Sequence, residues 1–269
     1  MSVFIKITLT LLLPFSVFAL SVDHPVNFSD DELGLYSVND FKKDWGIKPN
    51  SSSGQGSRLS IINDEDAPDQ KILEMTYLAQ KIGGQSGMTF SAPLDGAYDH
   101  LFFQYRLKFA DDFAWVKGGK LPGLTSAPDS PTGCIDNATF DGFSARYMWR
   151  ENGLLFGYVY NPEKQERCGD YYSTEPSFYL QTGVWYTIKQ EVFLGDPGKA
   201  NGYINAWVDG QKVFSITNIL LRKDPSIHID QVKMDTFFGG STLDWAPATD
   251  QHAYFDDFSV SITDPDLSQ

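Results

Sequence analysis

The stretch from Gly142 to Tyr160, GFSARYMWRENGLLFGYVY, carries the side chains best suited to chemistry. Its two halves alternate with period two around Glu151–Gly153, a pattern that predicts a β-hairpin. Side chains alternate across a strand, so four polar groups share one face: Ser144, Arg146, Tyr158 and Tyr160. A guanidinium matches a carboxylate, and phenols donate and accept protons. The hairpin therefore predicts a site that binds an anionic group and moves a proton.

The length of the turn decides whether these groups meet. A two-residue Asn-Gly loop would place an apolar valine opposite Arg146. A three-residue loop, with Gly153 in the left-handed conformation, pairs Arg146 with Tyr158 and Ser144 with Tyr160. This register also gives the other face an apolar set suited to a core, so we expect it. A solvent-exposed polar sheet face with no catalytic role is the alternative.

The rest of the sequence indicates how such a hairpin is supported. Strand patterns alternate with Gly/Pro turns, and helical periodicity is weak apart from Val38–Trp45. We expect an all-β fold, an antiparallel β-sandwich or β-jelly roll with a concave substrate-binding sheet. The candidate strands are Lys71–Leu78, His100–Phe109, Val184–Leu194, Gly202–Val208, Lys212–Ile216, Gln231–Phe238 and Ala253–Ile262.

Residues 1–19 have the features of a secretory signal peptide. Lys6 supplies a positive charge, Ile7–Phe15 form an apolar run, and a small-residue cleavage site ends at Ala19. The run is too short for a convincing membrane span, and no other stretch approaches one. Residues 20–269 have the length of one large all-β domain. We expect a secreted, single-domain monomer.

Cysteine and histidine usage gives little sign of a metal or a cofactor. Cys134 and Cys168 are the only cysteines, and in an oxidising compartment they predict one disulfide that closes a loop around the hairpin; two free thiols are the alternative. Metal-ligand spacing is not found among the four histidines, which are His24, His100, His228 and His252. We expect neither a metal nor a cofactor.

The formal net charge of −14 argues against nucleic acid and anionic membranes as partners. A polyanion would have to find a local basic cleft. Such a cleft is suggested near the hairpin by six cations, with ordinary solvated charge as the alternative: Lys117, Lys120, Arg146, Arg150, Lys164 and Arg167.

Two more segments can line a ligand site. In Trp115–Leu124, glycines before a lysine let the backbone approach a ligand closely. In Thr236–Trp245, TFFGGSTLDW, aromatic residues flank glycines and could wall a sugar site. Each segment alone is also typical of an ordinary turn.

Together these motifs resemble a known family. GGKLPG, a strand of the form S-x-R, Y-x-Y twelve residues after the arginine, and TFFGG look like the family 14 polysaccharide lyases, the alginate lyases of molluscs and algal viruses. The resemblance spans Trp115 to Trp245. It implies a β-jelly roll and cleavage of an anionic uronate polymer by β-elimination. The catalytic residues that it implies are Lys120, Ser144, Arg146, Tyr158 and Tyr160, with Lys117 open as the alternative lysine.

The residue types fit β-elimination. The reaction removes the proton beside the uronate carboxylate and then expels the 4-linked oxygen, so Arg146 and Ser144 would hold the carboxylate. A tyrosine would take the proton, its pKa lowered by nearby cations, and Tyr160 or Lys120 would protonate the leaving oxygen. We expect alginate as substrate, with glucuronan second. Further substrate-binding residues are expected at Lys117, Gln104, Arg106, Arg150, Phe238 and Trp245.

Two other functions compete with this interpretation. A sandwich glycoside hydrolase needs two carboxylates across the bond, and no E-x-D-x-x-E run occurs in a predicted strand. Glu163, Glu166 and Asp170 lie near the hairpin, but in a predicted loop. A non-catalytic carbohydrate-binding module would need only aromatic platforms such as Trp149 and Trp207.

Overall fold

The computed structural model describes residues 19–23, 25–54, 58–127 and 130–267. The predicted signal peptide, residues 1–19, lies outside this part of the chain except for Ala19. No helix in the described residues has both the length and the apolar character needed to cross a membrane.

Fourteen strands in the described residues form two sheets, and all pairings between them are antiparallel. The strands are β1 (Gly34–Leu35), β2 (Leu59–Asn63), β3 (Lys71–Tyr77), β4 (Met88–Tyr98), β5 (His100–Phe109), β6 (Gly119–Thr125), β7 (Ser144–Trp149), β8 (Leu155–Tyr160), β9 (Asp170–Ser173), β10 (Tyr186–Phe193), β11 (Gly202–Val208), β12 (Gln211–Ile219), β13 (Ile229–Phe238) and β14 (Gln251–Ser261). The eight-stranded sheet has the order β1-β2-β3-β14-β5-β10-β11-β12, and the six-stranded sheet β4-β13-β6-β7-β8-β9. The predicted β-sandwich is confirmed.

Helices are short. The predicted helix α1 (Val38–Trp45) begins at Ser37, whose hydroxyl accepts from the backbone N–H of Asp40, and ends at Gly46 with φ 65°. Its buried residues, Phe41 and Trp45, pack against the sandwich core. The 3₁₀ turns are Ser51–Ser53, Gly83–Gln85, Asn137–Thr139, Glu151–Gly153, Leu243–Trp245 and Pro265–Leu267.

One face of each central strand packs into the core between the two sheets. In β7, Ala145, Tyr147 and Trp149 are fully buried among core residues, because period-two alternation directs them inward together. The Trp149 ring meets Phe109 and Phe238 edge-on, at centroid distances of 5.3 and 5.5 Å. This packing fixes which face of β7 remains for chemistry.

The hairpin has the predicted three-residue register. Arg146 pairs with Tyr158, and Ser144 pairs with Tyr160. Gly153 has φ 78°, in the left-handed region, and the backbone N–H of Arg150 donates to the Leu154 carbonyl at 2.8 Å.

The segment after Trp115 is not an ordinary turn, because Gly119–Thr125 is strand β6. Pro122 is accommodated where the pairing with β7 shifts register between Leu121 and Leu124. The side chain of Lys120 is thereby held on a sheet beside the hairpin.

Candidate active site

A cavity of about 360 Å³ lies on the six-stranded sheet, on the face away from the core. Strands β6, β7, β8 and β13 supply its floor. Four of the five predicted catalytic residues line it together: Lys120, Arg146, Tyr158 and Tyr160. The fifth, Ser144, is fully buried beside them and donates its hydroxyl to the Pro131 carbonyl at 2.7 Å, without lining the cavity.

Of the two candidate lysines, Lys120 is the one that lines the cavity. Its side-chain nitrogen lies 3.8 Å from the centroid of the Tyr158 ring and 2.8 Å from Met148 Sδ. Burial lowers the pKa of Lys120 well below its ordinary value, and the charge of Arg146 lowers it further. Lys117, the alternative, is an exposed residue paired with Asp244 and does not line the cavity.

Arg146 already has a carboxylate partner. Its NH1 group donates to Asp235 Oδ2, and the side chains of both residues are only 2% exposed. Asp235 also accepts from the Thr89 hydroxyl. The cavity floor thus holds a buried ion pair, which costs desolvation and fixes the position of both charges.

The two phenols form a directed chain of hydrogen bonds. Tyr160 donates to the Gly133 carbonyl at 2.6 Å, so its oxygen is free to accept from Tyr158, 3.0 Å away. The backbone N–H of Gly169 donates to the Tyr158 oxygen at 3.1 Å. The predicted disulfide is present and joins Cys134 to Cys168, the neighbours of these two glycines.

The environment of Tyr158 contradicts one sequence-based expectation. Arg146 acts to lower its pKa, but burial outweighs this and raises the pKa above the ordinary phenol value. Tyr158 therefore keeps its proton at neutral pH, which suits an acid better than a base.

Two aromatic rings that line the cavity contact an arginine that is not itself one of the lining residues. The guanidinium carbon of Arg150 lies 5.3 Å from the centroid of the Trp245 ring and 6.0 Å from that of Tyr171. Trp245 and Tyr171 both line the cavity. Arg150 and Trp245 were predicted from the sequence to contact substrate, and the structure brings them together beside the catalytic candidates.

Most of the chain is similar in sequence to a known family. A family model described as Polysaccharide lyase 14 matches residues 65–258, most of the chain and all the strands that line the cavity. The chain belongs to polysaccharide lyase family 14. This confirms the resemblance seen in the motifs and identifies the protein as a polysaccharide lyase. A search of curated proteins gave no match.

Solved structures with the same fold include other polysaccharide lyases. A variant of alginate lyase Aly36B in complex with alginate tetrasaccharide is 20% identical to this family 14 lyase, with a TM-score of 0.77 over 89% of this chain and 96% of that one. The alginate lyase from Aplysia kurodai is 22% identical, with a TM-score of 0.66 over 86% and 98%. An endo-β-1,4-glucuronan lyase from Trichoderma reesei is 12% identical, with a TM-score of 0.51 over 76% and 87%. At sequence identities this low, the similarity to these structures shows only that the fold is shared.

Besides Lys117, three predicted substrate contacts of this family 14 lyase lie away from the cavity. Gln104 and Arg106 are on β5, in the other sheet, where Arg106 stacks on Trp185 at 4.5 Å. Phe238 is fully buried in the core, because the even-numbered residues of β13 from Val232 onward point inward. Its neighbour Phe237 lines the cavity instead.

Several cavity residues of the lyase were not predicted as site residues. Lys233 and Asp235 line the cavity from β13, Tyr171 from β9 and Met148 from β7. Alternation along Gln231–Phe238 would have revealed the pair on β13, since two charged residues two positions apart share a strand face. Among the described residues, no group of three His, Cys, Asp or Glu side chains is arranged to hold a metal ion.

Proposed function

We propose that this family 14 lyase is secreted and cleaves an anionic polyuronate by β-elimination, with alginate as its first substrate and glucuronan as its second. The observation that carries this proposal is the cavity where buried Lys120 and Arg146 meet the phenols of Tyr158 and Tyr160. The alginate and glucuronan lyases of similar fold support the choice of substrates. The signal-like residues 1–19 and the disulfide support secretion.

Lys120 is the proposed base. A base must be unprotonated when it reacts, and Lys120 has a lowered pKa whereas that of Tyr158 is raised. Lys120 takes the proton from the carbon beside the uronate carboxylate. A carbon–carbon double bond forms as the bond to the 4-linked oxygen breaks. Tyr158, which retains its proton, turns its hydroxyl away from the Tyr160 oxygen and donates the proton to that leaving oxygen.

Arg146 is the proposed stabiliser of the intermediate. Abstraction of the proton places negative charge on the uronate carboxylate, which a fixed guanidinium in a buried site stabilises strongly. Its guanidinium carbon lies 5.5 Å from the ring centroid of Tyr158 and 5.4 Å from that of Tyr160. A carboxylate bound by Arg146 would therefore lie close to the acid and the base.

The part of the cavity lined by Trp245 and Tyr171, beside Arg150, is proposed to bind a neighbouring sugar unit. An arginine pairs with a carboxylate, and aromatic rings such as Trp245 and Tyr171 offer apolar surfaces to a sugar ring. A polymer with a carboxylate on every unit would use this contact and Arg146 together.

The geometry favours a lyase over a hydrolase. Within the described residues, Asp235 is the one carboxylate that lines the cavity, and it is paired with Arg146. A hydrolase needs two carboxylates flanking the bond. A binding module has no need of a lysine that is buried against a phenol ring.

Incubation of the purified protein with alginate, polymannuronate, polyguluronate and glucuronan tests the proposal. An unsaturated uronate product absorbs in the ultraviolet, so absorbance should rise with at least one polymer and be lost in Lys120→Ala. Lys117→Ala, which removes a cation outside the cavity, is the matched control and should keep activity. Binding without new absorbance would indicate a module. Reducing ends without absorbance would indicate a hydrolase.

A further inference from the structure

Asp235 is a buried carboxylate in a cavity that would receive an anionic polymer. It lies on β13, its residue is 2% exposed, and its two oxygens accept from Arg146 and from the Thr89 hydroxyl. The side-chain nitrogen of Lys233 lies 4.0 Å from Oδ1. Both oxygens are therefore occupied by groups of the protein.

A carboxylate at this place opposes binding of a uronate unless it serves another purpose. Three cations line the cavity, Lys120, Arg146 and Lys233, and Asp235 is the one acid in the described lining. Its contact with NH1 anchors one edge of the Arg146 guanidinium, while Arg146 Nε has no hydrogen-bond partner among the described residues. The guanidinium is thus held at one edge by Asp235, while its buried Nε donor is left unpaired.

The charge of Asp235 also acts on Lys120. Arg146 and Arg150 disfavour the charged form of Lys120, and Asp235 favours it, beside the aromatic face of Tyr158. Removing the charge of Asp235 would therefore lower the pKa of Lys120 still further.

We infer that Asp235 is a positioning residue, which holds Arg146 in the orientation that receives the substrate carboxylate and balances the positive charge around Lys120. The inference rests on the proposed function, because it assigns Asp235 a task in that same reaction. Asp235 itself does not touch the substrate.

The pH dependence of kcat/KM in Asp235→Asn tests this role. We expect kcat/KM to fall at least tenfold, because Arg146 is no longer held in the orientation that receives the substrate carboxylate. The acid limb should move about one unit to lower pH, because the ammonium form of Lys120 loses a favourable charge. Asp256→Asn is the matched control, since Asp256 is an equally buried carboxylate near an arginine, in the other sheet. It should keep the wild-type profile. A fall in Asp235→Asn with an unshifted acid limb, or no fall, would overturn the inference.

Two further measurements cover the remaining outcomes. Thr89→Val keeps the charge of Asp235 but removes one of its anchors, so kcat should fall severalfold with the acid limb unmoved; full activity would contradict the positioning role.

If the wild type cleaves no polyuronate, the proposed function fails, but the inference stays testable by NMR titration of Lys120. The pKa of Lys120 must then be lower in Asp235→Asn than in the wild type, and an unchanged pKa refutes the inference.

Discussion

The side-chain nitrogen of Lys120 lies 3.8 Å from the centroid of the Tyr158 ring, so the proposed base and acid share one buried contact. The aromatic face attracts an ammonium by about 1–2 kcal/mol. Burial of a lysine disfavours its charge more strongly, by up to about 3–5 pKa units. Burial and the charge of Arg146 outweigh the attraction of the aromatic face, so the pKa of Lys120 is lowered.

Replacing Lys120 by arginine should abolish most activity while retaining the positive charge. Arginine stays protonated at all working pH values and cannot accept the proton, so kcat/KM should fall about 10²- to 10⁴-fold. In the wild type, kcat/KM should rise with pH along an acid limb centred below the ordinary lysine value of 10.5. Lys117→Arg is the control and should behave as wild type. An active Lys120→Arg would exclude Lys120 as the base.

Removing the Tyr158 hydroxyl should cost more than removing that of Tyr160. Tyr158 is the donor in the chain that leads to Tyr160 and Gly133, and its raised pKa keeps it protonated. We expect Tyr158→Phe to lower kcat about 10²-fold or more, and Tyr160→Phe to lower it less. Tyr172→Phe, on β9 with its ring packed against the core, is the control. A Tyr158→Phe protein with full kcat would show that another group protonates the leaving oxygen.

Arg150→Gln should weaken substrate binding more than turnover. The change removes a charge beside Trp245 and Tyr171, which line the cavity, so KM should rise about tenfold while kcat changes little. The effect should shrink at high salt, because screening weakens exposed charge pairs. Arg106→Gln removes another arginine stacked on a tryptophan, outside the cavity, and should leave KM unchanged. An equal KM in both variants would place the polymer elsewhere.

The hairpin of β7 and β8 is the part of the site that the sequence predicts best. Alternation and the Asn-Gly turn predict the pairing of Arg146 with Tyr158, because both are local properties of the chain. Nothing local links Asp235 to Arg146, which are 89 residues apart. This ion pair follows only from the placement of β6 between β13 and β7 in the sheet. Phe238 was assigned to the site by its motif although strand alternation directs it into the core.

The same limit applies to the pKa of the phenols. The sequence places cations near Tyr158, and Arg146 does act on it, but the depth of burial that reverses the net effect depends on the packing of several strands. The sequence therefore predicts that cations lie near Tyr158, but it does not predict how deeply the Tyr158 hydroxyl is buried.

Asp256 should make the protein less stable as pH rises. Burial and the neighbouring charge of Asp257 raise the pKa of Asp256 from 3.8 to about 6. Between these values the folded state binds more protons than the unfolded state, so the free energy of unfolding falls with increasing pH, by about 2–3 kcal/mol in total from this group. Asp256→Asn should remove this loss, because an amide oxygen can still accept from Gln70, the present partner at 2.6 Å.

Urea denaturation of wild type and Asp256→Asn at pH 4 and pH 7 measures the effect. Asp44, another buried carboxyl with a pKa raised to about 6, is present in both proteins, so the difference between them isolates Asp256. At pH 7 the variant should be the more stable protein, and at pH 4 the two should be nearly equal. Equal stabilities at pH 7 would mean that Asp256 is paired well enough by Arg106 and Gln70 to carry its charge without penalty.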